Sequence, residues 1–125
     1  VSAPTRNELG RLGETLAAAH LCEAGYRVLA RNWRCPRGEI DVVARQDDTL
    51  VICEVKTRRS ARFGSPAEAV DARKARRLRL LAVLYLRDPA APLGHPRPAQ
   101  VRFDVVEVRV DPAGGTELTH LIGAF

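Results

Sequence analysis

Apolar residues dominate two runs between positions 38 and 58, GEIDVVARQDDTLVICEVKTR, and an acidic tip separates them. Short runs rich in Val and Ile and bounded by turn formers predict strands, here over 39–45 and 50–57. Upstream the period changes: Thr5 and Glu8 stand at capping-box spacing, and a helix is expected over 6–24, halted by Gly25. Its wheel carries Leu9, Leu12 and Leu16 on one side and Gly10, Glu14, Ala17, Ala18 and Leu21 on the other, which leaves open the side that is buried. YRVLAR, 26–31, alternates as a strand, and WRCPRG, 33–38, is turn-like around Pro36.

After the Arg-rich connection RRSARFG, the residues Ser65, Pro66 and Glu68 offer an N-cap, an N1 proline and a capping-box acid. They predict a second helical region running to about residue 87, with Asp71 as a second start signal. Four prolines between 89 and 98 predict a loop, QVRFDVVEVRV at 100–110 a strand, and DPAGG a turn into a last apolar segment ending at Phe125. The order αβββαββ predicts an α/β domain with a mixed central sheet flanked by helices. At 125 residues and 46% hydrophobic content the chain suits one domain, 1–125.

The register of the opening hairpin raises a question of charge. A turn at Asp47 and Asp48 sets Asp41 opposite Glu54 and Glu39 opposite Lys56, all four on one face. Like charges directly opposed destabilise a strand pair. Asp41 and Glu54 therefore call for a cation, and a hard divalent ion held by one or two carboxylates answers that demand. Lys56 adds a compositional signal: the chain has 18 arginines and two lysines, Lys56 and Lys74. A lysine ammonium is a compact point charge suited to a water or phosphoryl oxygen, which the arginine fork is not. A surface pair with Glu39 would not require lysine, because such pairs are worth little.

The net charge of +5 and sequence pI near 9.7 favour a polyanionic partner, nucleic acid first. Apolar runs fall well short of the roughly 20 residues that span a bilayer, and no signal peptide is recognisable, so a soluble cytoplasmic protein without a membrane role is expected. Cys22, Cys35 and Cys53 form no CxxC pair or zinc pattern and suit small apolar positions in a reducing compartment. His20, His95 and His120 are scattered, and no nucleotide-binding glycine motif occurs. His20 is expected as a satisfied helix residue and His95 as a solvated one.

GEID followed by EVK, after GRLGE and before RFGSP and RFDVV, resembles the YraN-like family of small bacterial proteins. More broadly it is similar to the PD-(D/E)XK nuclease superfamily, close to archaeal Holliday-junction resolvases, over about residues 10–106. The resemblance implies a restriction-endonuclease-like αβββαβ core and metal-dependent hydrolysis of DNA phosphodiesters with Mg²⁺ or Mn²⁺. Asp41 and Glu54 would be metal ligands together with the Val55 carbonyl, and Lys56 would orient or help activate the attacking water. Glu14, closing GRLGE, matches a helix glutamate that reaches the same site; taken alone, such a glutamate is more often solvated. Glu39 matches GEID but is only auxiliary in the wider superfamily, and Ile40 stands where the superfamily name has proline. A homodimer is a further expectation, because resolvases of similar fold cut paired strands.

Arg58, Arg59 and Arg62 follow Lys56, and Arg73, Lys74, Arg76 and Arg77 crowd the second helix with Arg79. Such clusters position a phosphate backbone with little sequence readout. Trp33 and Phe63 could stack on bases, but core or loop packing is the expectation. Three functions remain in view: an endonuclease acting on DNA ahead of RNA, with branched or structured substrates in range; a binding module that keeps the fold without cleaving; and a protein-interaction domain with a structural acidic cluster.

Overall fold

A computed structural model describes residues 4–59 and 70–125. The first helix, α1 (Arg6–Glu23), opens with the expected capping box: Glu8 N–H donates to Thr5 Oγ1 at 3.1 Å and Thr5 N–H to Glu8 Oε1 at 3.0 Å. Gly25, at φ +92, takes the left-handed conformation that lets the chain leave the helix. Of the two sides of its wheel, the small-residue one is packed: Gly13, Ala17, Ala18 and Leu21 are buried, joined by Leu9 from the other side, whereas Leu12 is exposed.

Five strands follow: β1 (Arg27–Cys35), β2 (Gly38–Gln46), β3 (Thr49–Arg59), β4 (Gln100–Val110) and β5 (Thr116–Leu121), with α2 (Ala72–Arg87) between β3 and β4. Their spatial order is β1-β2-β3-β4-β5. β3 and β4 run parallel across the α2 crossover and the other pairs are antiparallel, so the sheet is mixed. The expected α/β architecture and αβββαβ core, those of a restriction-endonuclease-like fold, are present.

β1 is longer than expected and takes in the first half of WRCPRG. Its pairing with β2 shifts by one residue between Val28 and Ala30, and Asn32 adopts φ 52. This allows the ladder to continue to Cys35↔Gly38, with only Pro36 and Arg37 left in the turn. Pro36 lies outside the ladder, where its missing N–H is harmless.

Helix α2 begins at the second start signal. Asp71 is its N-cap and accepts the Lys74 N–H at 2.8 Å. Ser65, Pro66 and Glu68, together with Arg62 and Phe63, lie outside the described residues.

Alternation along β3 sends Leu50 and Ile52 into a core with Leu78, Leu81 and Tyr85 of α2, and Val51 and Cys53 into another with Ala17 and Leu21 of α1. The two helices therefore cover opposite faces, giving three layers. Trp33 packs at the edge of the α2-side core, edge-on to Tyr85 at 5.2 Å between ring centres, as expected of a packing residue. Among the described residues no helix is long and apolar enough to cross a membrane.

Candidate metal centre

The β2–β3 hairpin has the expected register: Gln46 pairs with Thr49 and Val42 with Cys53. The ladder stops there, one position short of Asp41 and Glu54. Beyond that point Asp41 Oδ2 accepts the Val55 N–H at 2.8 Å, so a side chain replaces the missing backbone acceptor. Alternation along β2 also breaks here, since Ile40 joins the α2-side core and Val42 the α1-side core. Of the expectation that Glu39, Asp41, Glu54 and Lys56 share one face, the facing of Asp41 and Glu54 holds, through a hydrogen bond between their carboxyls, but the pairing of Glu39 with Lys56 does not, since Glu39 takes Arg34. Glu39 and Asp41 meet Glu14 of α1, while Glu54 pairs with Lys74 of α2.

Close approach of helix to strand puts Glu14 in place. A Cβ on Gly13 would lie 1.8 Å from Thr57 Oγ1, so only glycine lets α1 settle this deeply on β3. The neighbouring Glu14 then brings a carboxylate oxygen to a group with Glu39 and Asp41 in which all ligand atoms lie within 4.8 Å of one another. Asn32 links two of them, with Nδ2 donating to Glu14 Oε1 at 3.1 Å and to Glu39 Oε1 at 3.0 Å. The left-handed backbone of Asn32 thus serves the site as well as the strand. Arg34 completes the surround, its Nε 2.9 Å from Glu39 Oε2, and it takes the place beside Glu39 that the hairpin register offered to Lys56.

Asp41 has the most perturbed environment of the group. Burial, then the charge of Glu54, push its carboxyl up to about 8; the Val55 N–H opposes them, while a hydrogen bond with Glu54 and the charge of Glu14 add to the rise. The cation that the facing acids call for is supplied to Glu54 by Lys74, the second of the chain's two lysines, and not to Asp41. Lys56 is exposed and lines a concavity of about 530 Å³ with Arg6, Glu14, Val55, Arg58 and Arg59. An oxygen-only donor set of three carboxylates suits Mg²⁺ or Mn²⁺ over softer metals.

Other basic residues divide. Arg58 Nε lies 3.0 Å from the buried carboxylate of Glu107, and Arg59 donates to the Pro4 carbonyl. Arg73, Arg76 and Arg77 are exposed on α2, close in sequence to Lys74. Arg79 stacks over Phe103, 5.0 Å from the ring centre. Burial, then the charge of Asp104, push the Cys53 thiol up, which fits its expected role as an apolar spacer.

One polar cluster escapes sequence spacing. His20 Nε2 is 3.1 Å from His120 Nδ1, and His120 Nε2 is 2.8 Å from Asp104 Oδ2. Arg102 grips both oxygens of Asp104 at 2.9 Å, and the Gly123 N–H adds a bond at 3.0 Å. His20 is a satisfied helix residue, as expected. Its partner lies 100 positions away, and the only local signal is an acid within the β-branched run RFDVV.

These features define an α/β protein with a mixed five-stranded sheet and a carboxylate cluster where β2 parts from β3. Comparison with known proteins gives the family: the profile of "Uncharacterised protein family UPF0102" matches residues 13–108, and the chain belongs to that family. A UPF0102 protein of Parafrankia sp. (strain EAN1pec) is 52% identical over 118 residues, covering 94% of this chain and 95% of the relative. One from Acidothermus cellulolyticus is 50% identical over 129 residues, covering 99% and 98%. One from Syntrophomonas wolfei is 47% identical over 118 residues, covering 94% and 97%.

Proposed function

We propose that the protein is a metal-dependent endonuclease that hydrolyses phosphodiester bonds in DNA, a member of the PD-(D/E)XK superfamily acting in the cytoplasm. The observation that carries this reading is Asp41: a half-buried carboxylate pushed up to about 8, grouped with Glu14 and Glu39, and with no ion-pair partner among the described residues. Mg²⁺ or Mn²⁺ bound there supplies a nucleophilic water and charge relief at the phosphate. Glu14, Glu39 and Asp41 are the residues placed to hold it, and the Val55 N–H fixes the direction of Asp41. Glu54, which the family resemblance makes a ligand beside the Val55 carbonyl, is held by Lys74 at the edge of this set. Lys56, exposed at the mouth, brings an ammonium to the non-bridging phosphate oxygens, where charge develops.

The test is cleavage of linear, nicked and four-way DNA with Mg²⁺ and with Mn²⁺. Wild type should cut in a metal-dependent way, and Asp41→Asn and Lys56→Ala should each lose on the order of 100-fold or more in rate. A second reading, a non-catalytic DNA-binding module, draws on the ion pair between Lys74 and Glu54, which neutralises one expected ligand. Metal-independent binding of DNA without cutting would favour that module. Absence of both binding and cutting would leave neither.

A further inference from the structure

Two glycines stand three residues apart on α1, and the structure explains only one of them by packing. Gly13 is forced by Thr57. A Cβ on Gly10 would meet nothing within 4 Å among the described residues, and its φ is not in the left-handed region. Glycine inside a helix is destabilising relative to alanine, so Gly10 weakens α1 without gaining a contact or a turn. A bare patch of backbone is useful where another molecule must come close.

The surroundings of Gly10 supply the second observation. The concavity of about 530 Å³ beside Lys56 and Arg59 has Gly10 in its wall, and so does a separate one of about 440 Å³ lined by Arg11, Asn32, Arg34 and Glu39. Arg6, Gly10 and Glu14 belong to both. The two hollows therefore meet over Gly10, beside the carboxylate group, with basic side chains at each end and Arg6 at the junction. Arg6 and Lys56 make no ion pair or side-chain hydrogen bond with any described residue.

We propose that one strand of the DNA crosses α1 at Gly10, in a trough running from Lys56 and Arg59 past Arg6 to Arg11 and Arg34. The inference rests on the endonuclease reading above and adds the path of the substrate. Phosphates at either end meet guanidinium or ammonium groups, which positions the chain without reading its sequence. The scissile phosphate then sits at the middle, over Glu14 and its partners. Gly10 is the low point of the floor, and any sizeable side chain there would stand in the way of the backbone.

The experiment is fluorescence anisotropy with a fluorescein-labelled single strand and a four-way junction, in Ca²⁺ to prevent cutting, alongside Mn²⁺ titration of the same samples. Gly10→Leu should keep its circular dichroism and Mn²⁺ affinity while its DNA Kd rises by about tenfold or more. Gly10→Ala should raise Tm by a few degrees through helix propensity alone. A Gly10→Leu protein that folds and binds DNA within about twofold of wild type would overturn the path and leave the endonuclease reading standing. Wild type that binds neither Mn²⁺ nor DNA would overturn that reading, and the path with it. Should Gly10→Leu fail to fold, Arg11→Glu carries the test: about a tenfold rise in Kd supports the path and an unchanged Kd removes it.

Discussion

Asp41 on β2 and Asp104 on β4 are carboxylates withdrawn into the same sheet, and their surroundings drive them in opposite directions. Burial acts to raise both. At Asp104 the His120 ring, the Arg102 fork and the Gly123 N–H outweigh it and hold the carboxyl down at about 2. At Asp41 a single backbone N–H faces the carboxylates of Glu54, Glu14 and Glu39, and the group ends at about 8. A buried charge with a full set of partners is part of the scaffold. One left among like charges marks a place where a cation is wanted, and such perturbed groups concentrate at functional sites. Asp104 thus fastens α1 and β5 to β4, through His120 and His20, while Asp41 is kept available.

The strongest way to break the contrast is Asp104→Ala. It strands Arg102 and His120 beside a void, and a loss of about 3–5 kcal/mol in unfolding free energy is expected in urea titrations. A loss under about 1 kcal/mol would mean that the network adds little to the fold. Asp41→Asn should act with the opposite sign in metal-free protein. It keeps an acceptor for Val55 and removes a disfavoured charge, so stability at pH 8.5 should rise by about 1–3 kcal/mol.

The two carboxyls also assign separate pH windows. Asp41, raised from 3.8 to about 8, gives metal-free protein stability that is complete below about pH 4 and lost as pH rises through about 8. Asp104, lowered from 3.8 to about 2, gives about 2 kcal/mol that is present above about pH 4 and lost as pH falls through about 2. Thermal melts across pH should therefore fall on both sides of a maximum near about pH 4–5, and the alkaline fall should vanish in Asp41→Asn. The smallest change is Arg102→Lys, which exchanges a two-pronged grip for a point charge. About 1 kcal/mol should be lost in the same titrations, with Mn²⁺ binding unaffected.

Local chemistry made much of the fold readable. The Thr5/Glu8 cap, the Asp71 start, the whole of β4 and the hairpin register each follow from residues within a few positions of one another. The site was only half readable for the same reason. Asp41, Glu54 and Lys56 announce themselves through spacing, but the break in alternation at Asp41 lies opposite a left-handed Asn32 in the neighbouring strand, which no local pattern marks. Lys74 on Glu54 required the crossover helix to be placed, and a rarity of lysines was its only sign. Asp104 looks like one more charge in a strand until β5 and α1 bring their histidines to it. Contacts across 16 and 100 positions leave no periodic trace.

The most direct test of the central contrast is proton release on metal binding. Mn²⁺ is titrated calorimetrically into wild type and Asp41→Asn at about pH 6.5, in two buffers of different ionisation enthalpy. A carboxyl held at about 8 is protonated there, so wild type should bind the ion and release about one proton per site, and the variant should bind far more weakly. Binding with no proton release, or equal binding by both proteins, would contradict the assignment of Asp41 as the vacant charge of the site.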